Sequence, residues 1–324
     1  MTGSAGQKIN LFDFNSQRVN LPIVTQFYNE LQEFNLANLK RAIAANAGGQ
    51  FFVDDTCINC GVSRHYAPAI FGDTGTHACV RKQPENEQEM LAAMQALLAC
   101  PVASIGTRDK LDLTAAKNSF PLSLTNDIYI NGFNHRDSYG AHSYFIFSNN
   151  GNWLIDSPRF TSHLVEKMEA MGGIRYIFLT HRDDVCDAPR YAKHFGAERI
   201  IHQYDSDAQK DAEIILEGDH VHHFGEGEIH FTPGHTRGHI VLLWQSMYLF
   251  TGDHYAWLSD ENRFGSFRDA CWYSWEKQID SVQKMGEFQQ VEWVFPGHGK
   301  WGKVEKGQFP DTIRQSVEMM RRAL

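Results

Sequence analysis

Three successive segments of this chain end in side chains that bind metals, and each is carried on a glycine-containing turn. The segments are Phe231-Thr-Pro-Gly-His235-Thr-Arg-Gly-His239, Thr251-Gly-Asp253 and Phe295-Pro-Gly-His298-Gly. Each follows a strand-like apolar stretch, and packing alone does not explain His, Asp and His at three strand ends. Zinc and iron take imidazole and carboxylate ligands from several elements. The pattern therefore predicts a metal site at one rim of a β-sandwich, because strand ends on a packed scaffold hold ligands accurately.

Together with three upstream segments, these motifs resemble the metallo-β-lactamase fold superfamily. Ala141-His-Ser-Tyr-Phe-Ile-Phe and Asn152-Trp-Leu-Ile-Asp156 look like the first hairpin of that family, and Ile174-Arg-Tyr-Ile-Phe-Leu-Thr-His181 ends in its Thr-His signature. The His-Thr-x-Gly-His form at 235–239 is shared with glyoxalase II-type members. The resemblance covers roughly residues 120 to 310 and implies an α/β fold, the αββα metallo-β-lactamase sandwich.

The resemblance also implies a set of metal ligands. The family signature H-x-H-x-D-H begins here at His181, and a carboxylate, Asp183 or Asp184, stands where the second histidine is expected. We align the family aspartate with Asp187 by allowing a two-residue insertion, which leaves Ala188 in place of the last histidine. The later ligands that the family implies are all present: His235, Asp253 and His298.

Two metal positions can be assembled from these residues. The first would use His181, Asp183 or Asp184, His235 and Asp253, and the second Asp187, Asp253 as a bridge, and His298. A mixed carboxylate and imidazole set suits zinc, iron or manganese. The number of ions, one or two, stays open because the second position lacks an imidazole. The flavodiiron relatives also carry a carboxylate where this chain lacks the second histidine.

A second group of candidate ligands lies upstream. Cys57-Ile-Asn-Cys60-Gly-Val-Ser63 and Cys100-Pro101 resemble a single-cluster bacterial ferredoxin over roughly residues 51 to 107. Such ferredoxins hold an iron–sulfur cluster through cysteine thiolates. The third cysteine of the pattern is replaced by Ser63, so Ser63, His65 or Cys79 would supply the fourth ligand. The alternatives are a cluster or other metal held by three thiolates, and a ferredoxin-like fold that has lost its cluster.

These two regions divide the chain into three parts. We predict an N-terminal arm and helix over 1–50, a small α+β ferredoxin-like domain over 51–108, and the metallo-β-lactamase-like domain over 120–324. Phe51-Phe-Val reads as a short strand and 110–117 as a linker. The spacing of apolar residues and the positions of helix-breaking residues predict helices over 22–45, 86–99, 189–195, 275–288 and 310–324.

Composition limits the partners. The formal net charge is −9 and the pI is about 6.0, which argues against nucleic acid because a surface that tracks phosphates needs clustered Lys and Arg. No apolar run has the length of a membrane span, and the first residues lack the apolar core of a signal peptide. We therefore expect a cytoplasmic protein with no membrane partner, whose six cysteines need not form disulfides.

The function that these features predict is a metal-dependent hydrolase with a small-molecule substrate. A metal-bound hydroxide would attack an ester, thioester or related group, and Asp187 would orient that water or accept its proton. Two alternatives stay open. Because hydrolysis needs no electrons, an iron–sulfur domain could instead serve an iron site in the larger domain, together with a redox partner. The losses at Ser63 and Ala188 would also fit a degenerate member without enzymatic activity.

Overall fold

The computed structural model describes residues 37–259 and 261–323. The α-helices of this part, α1 to α7 in chain order, are Val62–Tyr66, Glu87–Ala99, Thr114–Asn118, Ser162–Ala170, Ala188–Phe195, Trp275–Met285 and Phe309–Arg322. Short 3-10 turns lie at Leu39–Arg41, Arg182–Asp184, Ser206–Ala208 and Arg268–Ala270. The strands β1 to β19 are Phe51–Val53, Phe71–Asp73, Ala78–Val80, Ile105–Thr107, Leu122–Ser123, Ile128–Ile130, Tyr144–Ile146, Trp153–Ile155, Tyr176–Phe178, Glu198–His202, Ile214–Leu216, His222–Phe224, Gly227–Phe231, Ile240–Trp244, Tyr248–Gly252, Ala256–Leu258, Arg263–Gly265, Trp293–Pro296 and Gly302–Lys303.

Two mixed sheets form the centre of the larger part. The first has seven strands in the order β11-β10-β9-β8-β7-β6-β5, and the second has six in the order β12-β13-β14-β15-β18-β19. In the first sheet the strands from β5 to β8 pair antiparallel and those from β8 to β11 pair parallel. In the second, only the β15–β18 pair is parallel among the pairs described. Three further sheets have two strands each: β1 with β4, β2 with β3, and β16 with β17.

Strand β14 shows how the sequence produces the layers. Successive side chains of a strand point to opposite faces of its sheet. Ile240, Leu242 and Trp244 belong to the apolar core between the two sheets. The alternate residues Val241 and Leu243 belong to a separate core on the outer face of the second sheet. All five are buried, which explains why this strand is apolar throughout rather than alternating.

Helices cover the outer faces of both sheets. On the second sheet, α6 and α7 contribute Ile279, Val282, Ile313 and Val317, among others, to the outer core. On the first sheet, α4 and α5 contribute Val165, Met168, Tyr191 and Ala192. The order of layers is therefore helix, sheet, sheet, helix, and the predicted αββα sandwich is confirmed.

The cysteine-containing segment before the sandwich has a core of its own. Strands β1 to β4 and helix α2 supply most of its buried apolar residues, and the full set is Phe51, Val53, Ala67, Ile70, Phe71, Val80, Ala93, Ala96, Cys100 and Ile105. A small apolar cluster packs this segment on the sandwich, with Phe120, Phe133 and Leu164 at its centre and Tyr66 and Leu98 at its edge.

Most of the predicted elements are present. The strand at 51–53 and the helices predicted over 86–99, 189–195, 275–288 and 310–324 appear as β1, α2, α5, α6 and α7, with ends that differ by at most three residues. Helix α2 begins where a capping residue predicts it should, because the Asn86 side chain accepts a hydrogen bond of 2.9 Å from Glu89 N.

Two predictions of local structure were wrong. Of the helix expected over 22–45, the described residues form only the turn Leu39–Arg41, and residues 1–36, with the predicted arm, lie outside the described part. Pairing explains the difference: Ala42 bridges Asp54 and Ile43 N donates to Val53 O at 3.0 Å, so this stretch runs beside β1. The linker expected at 110–117 contains the start of helix α3. Within the described residues, no helix is both long and apolar enough to cross a membrane.

Candidate metal centre

Three loops at one rim of the sandwich bring the predicted metal ligands together. His181, Asp183 and Asp184 follow β9, and the last two lie in the 3-10 turn Arg182–Asp184. His235 lies in the turn between β13 and β14, and Asp253 directly follows β15. The central strands of both sheets therefore end at this rim, as the positions of the motifs predicted.

The ligand atoms form two overlapping sets. His181, Asp183 and His235 make one set, and His181, Asp184 and Asp253 make the other, with the ligand atoms of each set within 4.8 Å of one another. His235 Nε2 lies 3.7 Å from both Asp183 Oδ2 and Asp253 Oδ2. His181 Nε2 lies 3.8 Å from the same two oxygens. Asp253 thus stands between the two sets, as a bridging ligand would.

The buried atoms of this cluster lack hydrogen-bond partners. His181 Nε2, His235 Nε2, Asp184 Oδ2 and Asp253 Oδ1 are all buried without one in the described structure. A buried polar atom is costly unless it is satisfied. Burial and the neighbouring carboxylate of Asp253 raise the pKa of Asp184 well above its ordinary value. Two imidazoles and two buried carboxylates that converge in this way fit a divalent cation such as zinc or iron.

The ring of His181 is oriented by residues behind it. Thr180 Oγ1 donates to the Asp156 carboxylate, at 3.1 and 3.0 Å from its two oxygens, and lies 2.9 Å from His181 Nδ1. Because the hydroxyl proton is used on Asp156, Nδ1 donates to the hydroxyl and the lone pair is left on Nε2, which faces the cluster. Burial, with the charge of His235, lowers the pKa of His181 to about 4, so this imidazole is neutral at neutral pH, as metal binding requires.

His235 is fixed by its turn. The turn is tied down by Asp205, which accepts from Thr236 Oγ1 at 2.5 Å and from Gly238 N at 3.0 Å. Burial acts to lower the pKa of His235, but the Asp183 carboxylate and the charge of Asp253 outweigh it, so the pKa is raised. No sequence motif indicated Asp205, because it lies in a loop about 30 residues before the turn it supports.

Gly297 allows the two buried carboxylates to approach each other. A Cβ atom at this position would lie 2.5 Å from Asp253 Oδ1 and 3.1 Å from Asp184 Oδ2. The glycine of the Pro-Gly-His turn is therefore required by the space beside the cluster. Its neighbour His298 borders the cluster, with Nε2 3.6 Å from Asp253 Oδ2 and 3.1 Å from Ser138 O.

The structure places Asp187 apart from the other predicted ligands. Its carboxylate accepts from Phe160 N at 2.7 Å and lies beside His135 and Arg190, so it is not part of either ligand set. Asp184 occupies the place beside Asp253 that the sequence assigned to Asp187. The 3-10 turn explains this outcome, because it turns Asp183 and Asp184, two successive residues, into the same cluster.

Three of the four predicted cysteine ligands lie together, and the fourth lies elsewhere. Cys57, Cys60 and Cys100 line one small pocket together with Ser63, whereas the fourth predicted cysteine, Cys79, does not line it. In strand β3, Ala78 faces this pocket and its neighbour Cys79 points to the other side, where its Sγ packs near Gly72. All six cysteines are free thiols.

A large cleft of about 2300 Å³ opens above the metal centre. Its walls carry four exposed aromatic side chains, Tyr139, Tyr204, Trp272 and Tyr273. Lys300 also lines the cleft and has no ion pair with a carboxylate of the described residues. The cleft borders Cys60 at one end and reaches Asp183, His235 and His298 at its floor.

Comparison with protein families gives a match for the cysteine-containing segment before the sandwich. Residues 53–107 match the family described as the 4Fe-4S single cluster domain of Ferredoxin I. A comparison of the chain with curated proteins finds no match.

Comparison with solved structures gives matches for the sandwich. A DIM-1 metallo-β-lactamase exposed to ceftazidime is similar with a TM-score of 0.50 and 17% identity, over 62% of this chain and 96% of that chain. A TMB-1 structure is similar with a TM-score of 0.50 and 15% identity, over 62% of this chain and 96% of that one. At this identity the likeness shows the fold alone: the αββα sandwich is the metallo-β-lactamase fold, as the sequence predicted.

Proposed function

We propose that the sandwich is a metal-dependent hydrolase that acts on an ester, thioester or related acyl group of a small molecule. The observation that carries the proposal is the set of unpaired, buried ligand atoms at the floor of an open cleft. His181 and His235 each present a free Nε2 there, beside the buried carboxylates of Asp184 and Asp253. If the cluster had only a structural role, these atoms would form hydrogen bonds with one another.

The residues around the cluster have different roles. A divalent ion held there lowers the pKa of bound water and polarises a carbonyl oxygen. Asp156 and Thr180 keep the His181 ring in one tautomer. Asp183 is the ligand that solvent reaches, since its side chain is 45% exposed against 0% for His181. Substrate therefore approaches from the side of Asp183.

The cleft favours a substrate with an apolar or aromatic group. Trp272 is 68% exposed, its backbone N donates to His235 O at 2.9 Å, and its ring centroid lies 6.2 Å from that of His235. A large exposed aromatic beside a metal ligand is a suitable surface for an apolar substrate group. Lys300, two residues after His298, would attract a negatively charged part of the same molecule.

Replacement of His235 tests the proposal. In His235→Ala we expect loss of most of the metal bound by the sandwich, because the change deletes one of the two imidazoles of the cluster. Hydrolysis of thioester and ester substrates should fall with it. Metal is measured by elemental analysis of freshly purified protein, and hydrolysis on a panel of acyl substrates.

A matched control is His223→Ala, which removes an exposed histidine from edge strand β12. It should leave metal content and hydrolysis unchanged. Equal metal in the His235→Ala protein and the unchanged protein would contradict the proposed centre. If the His235→Ala protein loses its metal but the unchanged protein hydrolyses nothing on the panel, the centre stands and the acyl substrate is rejected.

A second candidate function, electron transfer to a metal in the sandwich, is favoured by one specific contact. The segment 138–140 touches both sites: Ser138 O lies 3.1 Å from His298 Nε2, and a Cβ on Gly140 would lie 3.1 Å from Cys60 Sγ. Between them, the Tyr139 ring centroid is 6.1 Å from that of His298. Metal analysis of protein purified without oxygen separates the two candidates. Redox-active iron that is lost in His235→Ala favours electron transfer, whereas zinc that is lost in this variant together with hydrolytic activity favours hydrolysis.

A further inference from the structure

The small pocket beside the cleft brings three cysteine sulfurs and one serine together. Cys57 and Cys60 lie in the loop before α1, Ser63 lies in α1 and Cys100 directly follows α2. All four line the same pocket. Their spacing matches the ferredoxin pattern, in which Ser63 stands at the position of the third cysteine.

The backbone around the pocket is arranged to stabilise negative sulfur. Cys57 Sγ accepts hydrogen bonds from Asn59 N at 3.4 Å and from Ala78 N at 3.3 Å. Cys100 Sγ accepts from Ser104 N at 3.3 Å. Amide groups that point at sulfur stabilise the thiolates of an iron–sulfur site and tune its potential.

The donor set also fits such a cluster. Three sulfurs line one pocket, and two of them accept hydrogen bonds from backbone amides. Cysteine sulfurs in this setting are the ligands that iron–sulfur clusters take.

The candidates for the missing ligand are Ser63, His65 and Cys79. Of these three described residues, only Ser63 faces the pocket. It is only 8% exposed and lines the pocket together with the three cysteines. His65 is directed elsewhere, with its Nδ1 3.0 Å from His142 Nε2, and Cys79 packs near Gly72. Of the three candidates, Ser63 is therefore the one placed to complete the ligand set.

We propose that the Ser63 oxygen is the fourth protein ligand of a four-iron cluster held by Cys57, Cys60 and Cys100. The serine hydroxyl loses its proton to solvent when its oxygen binds iron, and no electron is transferred in this step. An alkoxide is a harder and more electron-donating ligand than a thiolate, so it stabilises the oxidised cluster. The inference concerns this pocket alone and does not depend on hydrolysis by the sandwich.

The test compares the full-length protein with three variants after reconstitution with ferrous iron and sulfide in the absence of oxygen. Ser63→Ala removes the oxygen, Ser63→Cys restores the ferredoxin pattern, and Ser162→Ala is the matched control. Ser162 is an exposed residue at the start of α4 and does not line the pocket. Acid-labile sulfide reports the cluster alone, because iron in the sandwich carries no sulfide.

The unchanged protein and Ser162→Ala should bind sulfide, show no EPR signal when oxidised and show one after reduction with dithionite. Ser63→Ala should show the oxidised-state signal of a three-iron cluster or lose its sulfide. Ser63→Cys should keep a four-iron cluster with a less negative reduction potential than the unchanged protein. Circular dichroism checks that each variant is folded.

Two results would overturn the proposal. If Ser63→Ala has the same EPR spectra and potential as the unchanged protein, Ser63 is not a ligand. If the unchanged protein takes up zinc but no sulfide, the pocket holds a different metal. Both results leave the hydrolase proposal untouched, because the metal content of the sandwich and its activity are measured separately through His235→Ala.

Discussion

Gly297 illustrates how single residues set the geometry of the metal centre. Its missing side chain lets the carboxylates of Asp184 and Asp253 lie side by side. In Gly297→Ala we expect the new methyl group to push Asp253 away from the cluster, since a carbon–oxygen separation of 2.5 Å is shorter than any normal contact between unbonded atoms. Metal affinity should fall about 10- to 100-fold, the range typical of changes around metal ligands, as measured by competition with a chelator.

The control for this variant is Gly48→Ala. A Cβ at Gly48 meets no heavy atom within 4 Å, so the same change there should leave metal affinity unchanged. If both variants bind metal as tightly as the unchanged protein, the close approach of Asp184 and Asp253 is not needed for binding.

The residue scale is also where prediction from the sequence was least complete. The motifs identified His181, His235 and Asp253, because a histidine or aspartate at a strand end on a glycine turn is seldom a packing residue. They could not distinguish among Asp183, Asp184 and Asp187, because all three follow the same Thr-His and only the 3-10 turn at Arg182–Asp184 decides which carboxylates face inward. No pattern in the sequence indicated Asp205, since its role depends on a loop that packs against a distant turn.

At the scale of elements, the regular pattern of apolar residues predicted most helices, whereas the resemblance to the metallo-β-lactamase fold implied the layer order. Strand β14 is apolar on both faces because both of its faces are buried. The helix expected over 22–45 is the exception within the described residues. There, the pairing of Ala42 with Asp54 overrides the local spacing of apolar residues, and a pairing partner ten or more residues away cannot be read from a local pattern.

An ion-pair group ties β10 to the start of β11. Arg199 of β10 is 4% exposed and lies 2.9 Å from Glu213 Oε1. Hydrogen bonds from Arg199 lower the pKa of Glu213 from 4.5 to about 2. A lowered carboxyl pKa contributes stability that is present above pH 4.5 and is lost as the pH falls toward 2.

Glu213→Gln should therefore lower the free energy of unfolding near pH 6 by about 1 kcal/mol or less, because Glu213 is partly exposed. The difference from the unchanged protein should disappear as the pH is lowered from 4.5 toward 2. Urea unfolding followed by circular dichroism measures it. Glu318→Gln, on the exposed face of α7, controls for the loss of one charge, and a difference for Glu213→Gln that does not change with pH would refute the ion-pair explanation.

At the scale of the whole molecule, the main feature is that two candidate metal sites border one cleft. Cys60 lies at one end of the cleft and His298 at its floor, with the segment 138–140 between them. The sequence predicted both sites but not their proximity. Proximity arises from how the cysteine segment packs on the sandwich through Phe120, Phe133 and Leu164, and such a contact between distant segments leaves no periodic pattern in the sequence.

The central claim is that residues from three separate loops hold a divalent metal at the rim of the sandwich. The most direct measurement is an anomalous difference map from crystals of the full-length protein grown with zinc, with data collected on both sides of the zinc absorption edge. We expect a peak within bonding distance of His181 Nε2 and His235 Nε2 and of the carboxylates of Asp183 or Asp253. A map with no peak at these atoms, from crystals whose density shows both imidazoles, would contradict the claim.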